Sequence, residues 1–409
     1  MPSRSEIIGD NGGSSDGGAS DFRASIMSQL HAEFPSRAGN ADLEQFYRRL
    51  LPLSRRACIT RIGDITGLDR LGLPVVQTVR PAAQSEVTSL GRGFSIAEAA
   101  IGAIMESLER FYSESISPDR VYLAAAKDLG IEDGLFDNLL AAGQTDSWRG
   151  KATAWINGID MATGAVQPVP LELVHTSYTD PPPSHDGIFL RTTTGLACHA
   201  NGYEAFLHGL FECIERDAIA RAFATHGFFD RARLDEASLG GKVSELLSLA
   251  GQHGIVFGLW HAPSPAGVPV VWCQSIETGR GEPILALPTE GYSAGTNIEA
   301  AAVNAMLEAL AARAGAISGA RDDQTIGHYR RSTDAIVSDA VRLIVSNGPK
   351  LRPGDKNSQP ISSLSALIDS VLSAGLGPVI AVPVAFDMAT GVCCVRTILP
   401  GAWPLTVIR

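Results

Sequence analysis

The sequence predicts an α/β (α+β) protein on three observations. Short apolar runs bounded by Gly and Pro alternate irregularly with helix-period stretches. A composition of 45% hydrophobic, 6% aromatic and 19% charged residues gives an Ala-, Leu- and Val-rich core. One Gly-to-helix pattern also occurs three times along the chain. At 409 residues the chain has room for two or three lobes and is too long for a disulfide-stapled mini-protein.

Taken in order, residues 1–21 are rich in Gly, Ser and Asp (Gly12, Gly13, Ser14, Ser15, Asp16, Gly17, Gly18) and read as a flexible arm, since such a composition does not repay its ordering entropy. Residues 22–56 read as a helical lead-in, and 57–409 as the main domain. From Ala57, Cys58-Ile-Thr-Arg-Ile62 and Leu73-Pro-Val-Val-Gln-Thr-Val79 predict two strands joined by a turn at Gly67–Gly72. Further strands are expected at Ala152–Ile156, Ile255–Trp260, Val268–Gln274, Pro283–Leu287 and Val379–Phe386, with Cys393-Cys394 in another apolar strand and a Pro/Ser/Asp loop at Thr179–Gly187.

Thirty-three Lys and Arg face 44 Asp and Glu, a net charge of −11, which argues against a nucleic-acid footprint because that requires clustered cations. Six cysteines without a C-x-x-C pair give neither a disulfide framework nor zinc spacing, so the expected compartment is the cytoplasm and adjacent Cys198 and His199 read as core rather than ligands. The N-terminus lacks an apolar signal core. Two uncharged stretches, Leu246–Ile276 and Ser370–Phe386, are broken by Pro, His or Gly and read as a helix end followed by buried strand, not as membrane spans.

The repeated pattern carries the chemistry. Gly93-Phe-Ser-Ile-Ala-Glu98 leads to Glu106, Glu109 and Arg110; Gly202-Tyr-Glu204 leads to Glu212, Glu215 and Arg216; Gly295-Thr-Asn-Ile-Glu299 leads to Glu308 and Arg313. The Glu-to-Glu spacings are eight, eight and nine residues. On a helix Glu106 and Glu109 share a face, Arg110 lies over Glu106, and Ile101, Ile104, Met105 and Leu108 form the apolar side. In the second helix Glu204, His208, Glu212 and Glu215 make one polar stripe, although a structural role for His208 fits the pattern as well. One Glu-x-x-Glu-Arg alone reads as a solvated face. Two copies with a third Glu helix point to oxygen ligands for a hard cation such as Mg²⁺ carrying a nucleotide. No G-x-x-x-x-G-K-[ST] or G-x-G-x-x-G is present.

These residues resemble the YcaO-domain family, in particular its stand-alone type associated with a TfuA partner. The likeness runs from Ile59 to Gly401 through Ile59-Thr-Arg61, Thr66-Gly-Leu-Asp69, Arg80-Pro81, Gly91-Arg-Gly93, Met105-Glu-Ser-Leu-Glu-Arg110, Thr194-Gly-Leu-Ala197, Glu212-Cys-Ile-Glu-Arg-Asp-Ala218, Gly319-Ala-Arg-Asp-Asp323 and Arg396-Thr-Ile-Leu-Pro-Gly401. It implies a YcaO fold with mixed or antiparallel sheets and three Glu-bearing helices around a nucleotide cavity. It also implies ATP and Mg²⁺ as cofactors and activation of a peptide-backbone amide in a ribosomally made precursor: a nucleophile adds to the carbonyl carbon, the oxygen is phosphorylated, and phosphate leaves. Carried over by position, Glu106, Glu109, Glu204, Glu212, Glu215 and Glu308 are the expected metal carboxylates. Arg92, Arg110, Glu204, His208, Arg216, Glu308 and Arg313 are the expected nucleotide-side groups, and no catalytic residue is singled out.

Arg92 stands where the family has Lys, Ala103 for Ser, Ala200 for Asn, Asn304 for Arg and Ala311 for Gln, so the metal set is better kept than the nucleotide set. The end Pro400-Gly-Ala-Trp-Pro404-Leu-Thr-Val-Ile-Arg409 lacks the Pro-x-Pro-x-Pro tail of azoline-forming members. Thioamide formation with a TfuA-like partner is therefore the expected activity, ahead of azoline formation and of a non-catalytic peptide-binding scaffold. The segment before the first matched strand is too short for a leader-binding module. The expected partners are a precursor peptide and a TfuA-like or leader-binding protein, with a homodimer as an open assembly.

Overall fold

A computed structural model describes residues 15–29, 31, 34, 40–278, 283–319, 335–345, 349–352, 361 and 363–405. Helices α1 (Ser15–Met27) and α2 (Asn40–Arg56) lead into strands β1 (Arg61–Asp64), β2 (Val75–Val79) and β3 (Thr88–Arg92), then α3 (Ile96–Ser113). Strands β4 (Val121–Ala125), β5 (Ala152–Asp160), β6 (Val166–Pro170) and β7 (Leu196–His199) precede α4 (Gly202–Ala224), the short α5 (Phe228–Arg231) and α6 (Gly241–Gln252). Next come β8 (Ile255–Pro263), β9 (Pro269–Glu277), β10 (Thr289–Ala294), α7 (Ile298–Ser318), α8 (Ala335–Val345), α9 (Leu364–Ser373), β11 (Ile380–Phe386) and β12 (Cys393–Ile398).

The strands form three antiparallel sheets: β1-β2-β3, β10-β9-β8, and β4-β5-β11-β12-β7 with β6 on the other edge of β5. Three strand-to-helix units recur, β3–α3, β7–α4 and β10–α7. Each helix is capped by a side chain that accepts from the amide three residues on: Ser95 from Glu98, Asn201 from Glu204 and Asn297 from Ala300. Gly91 on β3 and Gly291 on β10 let their helices approach closely. A Cβ at either would come within 1.8 and 2.1 Å of the Ala99 and Ala305 carbonyl oxygens. The cores lie between α2, α3 and the largest sheet (Leu50, Leu53, Ile104, Leu108, Trp155), around α4 (Phe206, Leu210, Ile214, Val395), and between α6, α7 and β8–β9 (Val243, Leu259, Met306, Leu310).

The structure departs from the sequence reading at two elements. Pro283–Leu287 is not a strand; the Ile284 N–H donates to a Glu277 carboxylate oxygen (3.0 Å) rather than to a ladder, and the strand is β10, from Thr289. Residues Ser15–Asp21, read as part of the arm, belong to α1, which is held by tertiary packing: Ile26 is fully buried in the α4 core and Phe22 lies against Gly202. Residues 1–14 and the Arg321-Asp-Asp323 cluster lie outside the described residues. By length and apolarity α7 would qualify as a membrane span, but 72% of its apolar window is buried within the fold.

Candidate functional site

The helix period brings five carboxylates together, and backbone amides of the strands fix them. Glu106 accepts from Leu90 N (3.1 Å), Glu212 from Gly195 N (3.0 Å) and Glu308 from Tyr292 N (3.4 Å), each within or just before the strand of its own unit. The second Glu of each pair reaches the next unit: Glu109 accepts from Cys198 N on β7 (2.9 Å) and Glu215 from Ala294 N on β10 (3.1 Å). The third unit turns back on the first, with Arg92 of β3 pairing with Glu308 at 3.2 Å. The units thus close into a ring. At the position where a sixth carboxylate would complete it stands Ala311, packed with Ile65, Val75 and Leu90.

Cations interleave with the acids. Arg110 pairs with Glu106 (3.4 Å) and Glu86 (2.8 Å), Arg216 with Glu212 and Glu215 (3.3 Å each), and the Arg216 guanidinium lies over the Tyr292 ring at 5.4 Å. The balance still favours negative charge. Burial lifts the Glu106 pKa against Arg110 and the Leu90 amide. Burial, with Glu106 and Glu212 adding to it, holds Glu109 well above the usual carboxylate range. Burial, reinforced by Glu308 and Glu212 against Arg216, takes Glu215 to about 7. Arg216 shows the reverse: burial pulls its pKa down, but Glu215, Glu212 and Glu308 outweigh that and raise it. His208 opens to the cleft beside Arg92 and Glu212. Partial desolvation, with His199 and Arg92, lowers its pKa despite Glu212.

Two expected site residues stand elsewhere. Arg313, five residues beyond Glu308, points about 140° away around the helix. It is buried against Asp69 (2.9 Å) and Glu277 (3.0 Å), where it ties the β1–β2 turn to β9. Glu204, two turns before Glu212, is not among the five. It pairs with His199 Nδ1 at 2.5 Å at the N-terminal edge of α4, and this imidazole lowers its pKa. The His199 and His208 rings meet edge-on at 6.5 Å. Tyr292, whose hydroxyl donates to Glu290 (2.5 Å), is a site residue that spacing did not reveal, because it lies on a strand and carries no helical period. Of the family departures, Ala103 is fully buried, Asn304 is exposed and Ala200 is partly exposed.

Clustered carboxylate oxygens held by backbone amides suit a hard divalent cation, and Arg92, Arg110 and Arg216 suit phosphate oxygens. Among the described residues no three His, Cys, Asp or Glu side chains enclose an ion unaided.

Such a fold and cleft define an α/β protein in which helix-borne carboxylates and arginines gather in one place. A family model described as YcaO cyclodehydratase, ATP- and Mg²⁺-binding, matches residues 90–402. The chain belongs to the YcaO family, whose cofactors are ATP and Mg²⁺. It is 32% identical over 277 residues to an uncharacterized protein of Methanothermobacter thermautotrophicus, covering 67% of this chain and 70% of that one. It is 27% identical over 370 residues to an uncharacterized protein in the tfuA 3' region of Rhizobium leguminosarum bv. trifolii, covering 87% and 86%. In fold it matches YcaO from Methanopyrus kandleri bound with AMPPCP and Mg²⁺ (TM-score 0.68, 22% identity, 92% of this chain and 95% of that one). It also matches a heterocyclase in complex with substrate and cofactor (TM-score 0.68, 17% identity, 94% and 56%).

Proposed function

We propose that this protein is an ATP- and Mg²⁺-dependent enzyme that activates a backbone amide of a ribosomally made precursor peptide and, with a TfuA-like partner, converts it to a thioamide. The observation that carries the reading is the ring of Glu106, Glu109, Glu212, Glu215 and Glu308 with Arg92, Arg110 and Arg216 set between them. The partner is supported by the relative in the tfuA 3' region.

In this reading the five carboxylates hold Mg²⁺ and Arg92 and Arg216 neutralise phosphate oxygens. His208, exposed in the cleft, offers a ring nitrogen for a hydrogen bond. Bound Mg²⁺-ATP supplies the phosphoryl group that makes the amide oxygen able to leave. The chain's own residues supply position and charge balance, and Glu204 with His199 marks the edge of the cleft.

The test is incubation of precursor, partner, ATP, Mg²⁺ and a sulfide source. Release of ADP with a peptide mass gain of about 16 Da is expected for exchange of oxygen by sulfur. A loss of about 18 Da would instead mark azoline formation, the chemistry of dehydration. Peptide binding with neither ADP nor a mass change would favour the non-catalytic scaffold, the reading to which Asn304 and Ala311 lend weight.

A further inference from the structure

A cavity of about 470 Å³ is lined by Arg110, which also pairs with Glu106. Its walls include Ser85 and Glu86 of the β2–β3 loop, Arg110, Tyr178, Arg191 and Thr192. Arg191 is exposed, lies over the Tyr178 ring at 5.5 Å, and has no carboxylate within ion-pair distance among the described residues. Next to this wall stands Arg396 of β12, which is 2% exposed and spends one N–H on the Thr192 carbonyl (2.7 Å). Its Nε and Nη1 are buried with no hydrogen-bond partner, and no carboxylate pairs with it among the described residues. The Tyr178 hydroxyl is also buried without a partner. Burial raises its pKa, with Arg396, Arg110 and Arg191 acting against that.

A buried guanidinium without a counter-charge is costly, and an unpartnered buried hydroxyl adds to that cost. The one acid on the wall, Glu86, is half exposed and already paired with Arg110. The unmet demand is therefore for oxyanion acceptors. The space exceeds that needed by a bare tetrahedral anion and lies in the range of sites that hold a side chain with its backbone. Forked donors on a planar aromatic floor favour a carboxylate, which guanidinium grips in a bidentate way.

We propose that the cavity between Arg110, Arg191 and Tyr178, backed by Arg396, is a substrate subsite that binds a carboxylate of the peptide near the amide to be modified. The word substrate rests on the function proposed above; the oxyanion site does not. Because Arg110 faces both the cavity and Glu106, a carboxylate held there stands beside the metal ring without entering it.

The experiment titrates the full chain, by saturation-transfer NMR, with capped N-acetyl-Gly-Asp amide, with its Asn counterpart and with inorganic phosphate, in the wild type, Arg191→Gln and Tyr178→Phe. Neither substitution removes a side-chain hydrogen bond made among the described residues, and circular dichroism checks that both variants fold. The Asp peptide is expected to bind about tenfold more tightly than the Asn peptide, as a charge-assisted contact implies, and to lose most of that preference in both variants. Mg²⁺-AMPPCP affinity should stay unchanged. Equal binding of Asp and Asn peptides, or no effect of either variant, overturns the proposal. Phosphate binding tighter than the Asp peptide would assign the cavity to free phosphate, and loss of AMPPCP affinity in Arg191→Gln would assign it to the nucleotide; each overturns the peptide subsite. Since none of these readouts needs turnover, a selective Asp site in a protein that modifies no peptide would sink the proposed function and leave the subsite standing.

Discussion

Glu114 illustrates how far one side chain can depart from what its position in the sequence suggests. Lying at the end of a helix, it reads as a solvent-facing residue and a natural inert control for substitutions at Glu106. In the structure its side chain is 2% exposed, grips Arg80 through two 2.8 Å bonds, and accepts from Gln84 N and Ser85 Oγ. It therefore fixes the loop that carries Ser85 and Glu86 to the cavity wall. Glu114→Gln should destabilise the protein by about 3–5 kcal/mol, because it leaves Arg80 buried and uncompensated, and urea unfolding would read this. A change under about 1 kcal/mol, the scale of a surface pair, would show the pair to be dispensable. By contrast Glu106→Gln and Glu212→Gln, at the open cleft, should leave folding nearly intact and weaken Mg²⁺-ATP binding by about 1–3 kcal/mol in calorimetry. Equal affinity in both variants would remove these residues from the site.

At the scale of elements, the three strand-to-helix units explain what was legible and what was not. A 3.6-residue period fixes which side chains share a face, so Glu106 with Glu109, and Glu212 with Glu215, could be paired from spacing alone, each with its Arg one residue after the pair. The same arithmetic places Arg313 off the face of Glu308, and counting residues without counting angle misassigns it. The strands β7 and β12 are short and buried on both sides and carry no alternation, while Pro283–Leu287 has a strand's composition but satisfies its backbone through Glu277. Arg191 and Tyr178 come from the connection between β6 and β7 and Arg396 from β12, and no linear pattern announces their meeting. The units also set a test of rigidity. Asn201→Ala removes the α4 cap and should cost about 1 kcal/mol. Gly291→Ala drives a Cβ to 2.1 Å from the Ala305 carbonyl and should cost about 3 kcal/mol or more, since backbone cannot yield as a side chain can. If thermal unfolding ranks the two the other way, the close approach of α7 to β10 is not what holds the third unit.

For the molecule as a whole, closure of the ring couples folding, protonation and metal binding. Carboxylates from α3, α4 and α7 are pressed together by packing that the three cores impose, and burial raises the pKa of Glu106, Glu109 and Glu215. Glu215, at about 7, titrates where a cell works. Its ordinary value is 4.5, so between about 4.5 and 7 the folded state binds a proton that the unfolded state has lost. Metal-free stability should therefore fall as pH rises through that window, with no further loss from this group above it. Mg²⁺ needs the ionised form, so binding of Mg²⁺-AMPPCP should tighten over the same interval and level off above pH 7. It should also release protons, measurable at pH 6 by calorimetry in buffers of different ionisation heat. Glu215→Gln removes the titrating group and should flatten the pH dependence of stability while weakening the metal complex. Proton release that persists undiminished in that variant would move the titration to Glu109, the other carboxylate that burial holds well above its usual range. Binding independent of pH from 5.5 to 8 in the wild type would mean that the crowded ring stays ionised without the metal, and that Arg216 alone balances Glu212, Glu215 and Glu308.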